Sequence, residues 1–122
     1  MKEFQLTELM KILDNFYFLI HENYGIKETT IGLRAYPSVV FKNYQTGIEV
    51  HIIGADLGCE CDDYYNVYIM KSKWFSTKFI GINEQMGYSH SICGDKLFLC
   101  LSSEYIQQHL MPVIRGEQWP KK

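Results

Sequence analysis

The chain has 122 residues, 47% hydrophobic and 21% charged, which is the size and composition of one folded domain, 1–122, and excludes a disordered chain. Its formal net charge of -2, with twelve scattered Lys and Arg, argues against nucleic-acid binding, which needs a clustered basic face. No apolar run approaches the roughly 20 residues that cross a bilayer, and the first residues carry no secretory pattern, so a soluble cytoplasmic protein without a membrane partner is expected.

The first element reads as a helix. Leu6, Leu9, Met10, Leu13, Phe16, Tyr17, Ile20 and Tyr24 recur at three and four residues on one stripe, with Lys11, Asp14, Asn15 and Glu22 off it. Gly25 is placed to close that helix in the left-handed conformation. From Thr29 the period becomes two. Ser38–Lys42 and Ile48–Ile53 are strands, joined through Asn43-Tyr44-Gln45-Thr46-Gly47 with Gly47 at positive φ. Pro37 suggests an edge or a strand end. In the second strand Ile48, Val50 and Ile52 share one side, and Glu49 and His51 the other.

Residues 54–63 form a loop rich in Gly and Asp, and strand character returns over Tyr64–Met70 with Tyr65, Val67 and Ile69 on one face. Trp74, Phe75, Phe79 and Ile80 belong to an extended or mixed stretch, followed by a loop at Gly81–Gly87. Lys96–Leu101 reads as a short buried strand. Ser102 or Ser103 then caps a second helix carrying Tyr105, Ile106, His109, Leu110 and Val113. Pro112 should kink or stop that helix unless a new turn begins there, and Gly116 ends it. This order of elements gives an α+β fold. A mainly antiparallel, meandering sheet carries an N-terminal and a C-terminal helix on one face. The other face is then solvated or taken by a partner, with Arg34, His51, Tyr64 and Tyr68 as candidates to line it.

The sequence holds no phosphate loop and no serine nucleophile pattern. Cys59, Cys61, His90 and Cys93 form a possible zinc set, but the C-x-C spacing is poor and reduced structural thiols are the simpler reading, so no metal or other cofactor is assigned. Cys93 beside His90 or His51 is a nucleophile candidate without a helix start or cation to lower its pKa. Cys100 shares that lack. The densest charge cluster is Asp56, Glu60, Asp62 and Asp63, whose default reading is a solvated loop and whose sharper reading is a negative patch docking a basic protein surface. With Tyr64 and Tyr68 beside it, the set Glu60, Asp62, Asp63, Tyr64 and Tyr68 is the expected partner-binding site, since tyrosines anchor many interfaces.

One stretch resembles a known group. Phe16-Tyr17-Phe18-Leu19 through Tyr24-Gly25-Ile26-Lys27, then Val39-Val40-Phe41-Lys42-Asn43 and Ile48-Glu49-Val50, is similar to small bacterial α+β proteins of the polymorphic-toxin immunity type. The resemblance covers about the first half of the chain and carries over no functional residue. It implies a non-enzymatic protein that binds and blocks a cognate toxin. Two other readings stand beside it. One is a small-ligand or enzyme domain with an aromatic pocket of Trp74, Phe75 and Tyr88 served by His51, His90 or Cys93. The other is a homodimer or larger homo-oligomer that pairs edge strands or open faces.

Overall fold

A computed structural model describes residues 2–32, 35–56, 63–72, 77–85, 95–117 and 119. Its elements in chain order are α1 (Lys2–Asn15), α2 (Phe18–His21), β1 (Gly25–Gly32), β2 (Ala35–Lys42), β3 (Ile48–Asp56), β4 (Asp63–Ser72), β5 (Thr77–Gly81), α3 (Ile82–Gln85), α4 (Asp95–His109) and α5 (Met111–Ile114). The five strands form one antiparallel sheet in the order β1-β2-β3-β4-β5, so each strand pairs with its neighbour in sequence.

Alternation in the strands builds the core. Val39, Ile52 and Val67 stand in one cross-strand row, and Phe41, Val50, Ile69 and Ile80 in the next. All are buried, and Ile12, Phe16 and Leu19 from the N-terminal helices and Leu99, Ile106, Val113 and Ile114 from the C-terminal ones close over them. Burying such side chains contributes about 1.5–3 kcal/mol each. The outward strand residues contribute nothing to this cluster. The expected α+β architecture, with the terminal helices on one face of a meander, is the observed one.

The N-terminal helix differs from its sequence reading in phase and in ending. It breaks at Phe16-Tyr17, and the buried stripe is Ile12, Phe16 and Leu19, whereas Met10, Tyr17 and Ile20 are exposed. The chain then turns at Asn23, whose φ is 70°, rather than at Gly25, which already belongs to β1. The amide of Tyr24 donates to the Leu19 carbonyl and that of Asn23 to Ile20, the paired bonds that close a helix through a left-handed residue. Asn tolerates that conformation because its side chain is short and polar. The closing apolar contact is Tyr24 itself, buried with its hydroxyl donating to the Ile114 carbonyl at 2.7 Å.

The β2–β3 connection forms as the sequence suggests. Gly47 has φ 80°, and the Asn43 side-chain oxygen accepts from the amides of Gln45 and Thr46. Pro37 lies inside β2, which is not an edge strand. Pairing with β3 starts only at Ser38, so the missing amide falls where β2 faces β1 alone.

Lys96–Leu101 is the clearest correction: it is helix, the first part of α4. Leu99, Ser102 or Ser103, Ile106 and Leu110 form one continuous buried stripe, and the serines that look like caps sit inside it. Ser103 donates its hydroxyl to the carbonyl of Asn15, satisfying a free acceptor at the end of α1, and itself accepts from Gln107 at 3.0 Å. Ser102, with no exposed surface, finds no partner among the described residues. Pro112 does start a new turn, α5, in which its absent amide costs nothing. Gly81 ends β5, and Ile82–Gln85 is a short helix rather than loop.

Candidate functional site

The outward side of the sheet carries two cross-strand rows. Val40, His51, Tyr68 and Gly81 form one, and Lys42, Glu49, Met70 and Phe79 the other. Val40 is buried there, flanked in register by Glu28 and His51. Glu49 sits at the centre. Its Oε2 lies 2.9 Å from Lys27 Nζ and 3.8 Å from Lys42 Nζ, and its Oε1 2.8 Å from His51 Nε2.

Lys27 reaches Glu49 from two strands away because β1 is bulged. Ile26 pairs with Phe41 and Glu28 with Val40, which leaves Lys27 as an extra residue. A bulge of this kind turns its side chain across the neighbouring strand.

With Nε2 donating to the carboxylate, a neutral His51 keeps Nδ1 as an acceptor, and the Tyr68 hydroxyl approaches it at 3.3 Å. The two rings are nearly parallel, 11° apart with centroids at 4.7 Å, so the hydroxyl meets the nitrogen obliquely and stacking is the main contact. Tyr68 in turn meets Phe79 at 4.9 Å. Phe79 is 54% exposed and ends the ladder at the sheet's edge. A Cβ at Gly81 would meet only the movable end of the exposed Glu84 side chain and come into ordinary contact with the Phe79 ring.

The electrostatics follow from these contacts. Partial burial pushes the Glu49 carboxyl up, but the hydrogen bonds from Lys27 and His51 outweigh it and hold it below the ordinary carboxylate range. The hydrogen bond to Glu49 raises the Lys27 ammonium. Burial, and then the Glu49 charge, push the Tyr68 phenol up.

Two expected outward residues, His51 and Tyr68, are thus brought together with Lys27, Glu49 and Phe79, which the sequence reading had not singled out as a site. Tyr64 occupies the same alternate set of β4 positions as Tyr68, opposite Ala55, and Asp63 stands opposite Asp56 on the last rung of the β3–β4 hairpin. Glu60 and Asp62, in the connection between those strands, lie outside the described residues. So do the suggested zinc set Cys59, Cys61, His90 and Cys93, the pocket residues Trp74, Phe75 and Tyr88, and Arg34. Cys100 lies within α4 with Sγ 3.7 Å from Glu104, and burial followed by the Glu104 charge pushes its thiol up, toward the unreactive protonated form.

No helix among the described residues is long and apolar enough to cross a membrane. No family model matches the chain, and neither a curated protein nor a solved structure does.

Proposed function

We propose that this domain is a non-enzymatic binding protein that docks a partner protein of basic surface on its outward sheet face and on the acidic end of the β3–β4 hairpin. The observation that carries the reading is the pre-assembled ladder Glu49–His51–Tyr68–Phe79, fixed by Lys27 and ending in an exposed aromatic ring. Rigid aromatic side chains beside satisfied polar groups lose little freedom on binding, which is what an interface anchor needs. The same ladder is poorly suited to proton transfer. Burial pushes the phenol of Tyr68 up, away from neutral pH and from the range of a general base. Asp56 and Asp63, with Glu60 and Asp62 between them in sequence, supply the charge that steers a basic partner.

The resemblance of the first half of the chain to bacterial immunity proteins makes a cognate toxin domain in the cytoplasm the partner to try first. The test is to purify the toxin domain encoded beside this gene and measure binding by calorimetry. Complex formation should weaken roughly tenfold or more in Tyr68→Ala and in Phe79→Ala, and should fall with added salt. No complex with that neighbour, or a complex indifferent to both substitutions in folded variants, overturns the reading.

A further inference from the structure

Where the aromatic ladder ends, the outward face gains a carboxylate. Gly81 closes β5 in the cross-strand row of His51 and Tyr68, and Ile82, fully buried, pins the start of α3 to the core. At the other end of α3 the Tyr105 hydroxyl donates to Gln85 Oε1 at 3.3 Å, which ties this short helix to α4. Glu84 is exposed between these two anchors, and its side chain turns back over Gly81. An ideal Cβ built at Gly81 would stand 3.2 Å from Glu84 Cδ and 3.4 Å from Phe79 Cε1. The carboxyl group and the edge of the exposed ring therefore converge over a backbone position that carries no side chain.

Glu84 differs from Glu49 in what surrounds it. Lys27 and His51 take the oxygens of Glu49, whereas no ion pair among the described residues involves Glu84. The Phe79 ring beside it is backed by Tyr68, with centroids 4.9 Å apart, and Tyr68 is itself stacked on His51. A supported aromatic face next to a carboxylate matches one side chain above others. A guanidinium is planar and weakly hydrated, stacks on aromatic rings, and offers a fork of N–H donors to a carboxylate. An ammonium has neither the plane nor the fork, so it gains less from the same corner.

We propose that Phe79 and Glu84 form a seat for an arginine side chain of the partner protein, with the guanidinium lying on the Phe79 ring and paired with the Glu84 carboxylate. The seat rests on the reading of the outward face as the docking surface, and it names the basic residue that this face selects.

The experiment has two arms. In the first, the unsubstituted chain alone is titrated with N-acetylarginine amide and, separately, with N-acetyllysine amide at fixed ionic strength, and backbone amide resonances are followed. The arginine probe should move Gly81 and Glu84 saturably, and the lysine probe should move them less. Glu84→Gln and Phe79→Leu should each weaken the arginine response about two- to fivefold. In the second arm, calorimetry of the complex with the toxin domain encoded beside this gene should show Glu84→Gln binding about two- to fivefold more weakly. A complex as tight in Glu84→Gln as in the parent, or an arginine probe that moves Gly81 and Glu84 no more than lysine does, overturns the seat and leaves the docking face standing. Failure to form any complex with that toxin domain counts against the docking face instead, and the amide titration then decides the seat by itself.

Discussion

Ser102 and Ser103 adjoin on α4, and both are buried, yet their environments are opposite. The Ser103 hydroxyl joins α4 to the last carbonyl of α1 and is itself hydrogen-bonded by Gln107, whereas the Ser102 hydroxyl has no partner among the described residues. A buried polar group without a hydrogen bond costs about 1–3 kcal/mol, and removing one member of a satisfied pair costs a similar amount. Ser102→Ala should therefore raise stability in urea by about 1 kcal/mol, while Ser103→Ala should lower it by about 1–2 kcal/mol. Equal effects of the two would contradict this assignment. Tyr24 gives a second test. Burial, and then the Glu22 charge, hold its phenol far above the ordinary tyrosine pKa in the folded state. The neutral form is thus favoured by folding, so this contribution is complete below about pH 10 and is lost as pH rises beyond it. In an alkaline titration followed by tyrosinate absorbance, one phenol should ionise only together with unfolding. Tyr24→Phe should remove that step and cost about 1–2 kcal/mol at neutral pH, because the Ile114 carbonyl loses its donor.

Between elements, the ladder on the outward face depends on strand register. A shift of one residue would send Glu49 and His51 into the core, and the buried row of Phe41, Val50 and Ile69 prevents it. Glu49, with its pKa lowered in the fold, contributes stability that is present above the ordinary carboxylate pKa and lost as pH falls through its own, lower value. Glu49→Gln should therefore flatten the acid limb of the stability curve below about pH 4.5, measured by denaturant unfolding at several pH values. An unchanged slope would mean that the cross-strand contacts do not persist in solution. The strands that make this ladder were legible in the sequence, because Ile48–Ile53 and Tyr64–Met70 alternate cleanly and residues 43–47 carry turn chemistry. His51 and Tyr68 could be placed on the outward side for the same reason. Lys27 could not, since its position depends on a bulge that only pairing with β2 reveals. Phe79 escaped because β5 is five residues long and lacks a turn signal before it that the sequence makes plain. The start of α4 was misread because serines occupy two positions of its buried stripe, which hides the helical period and imitates a cap.

At the scale of the molecule, one buried cluster joins the two helical regions to one side of the sheet, and the opposite side carries the ladder. Contacts across the fold tie the chain's beginning to its end. Arg115 grips both oxygens of the Glu22 carboxylate, Tyr24 bonds Ile114, and Ser103 bonds Asn15. Cutting these ties should loosen the helices before the sheet. Hydrogen exchange of Tyr24→Phe should therefore show α5 losing protection while the amides of β3 and β4, paired on both sides, keep theirs. Uniform loss of protection would instead indicate a single cooperative unit.

The strand order has a kinetic corollary. Because every rung joins consecutive strands, the sheet can grow as a series of reversals, each closing a short length of chain at small entropic cost. Only the meeting of the two flanking helical regions requires a search over some ninety residues, as between Tyr24 and Ile114. Assembly would then end where the molecule is stitched, with the sheet formed first and its helical cover clasped last.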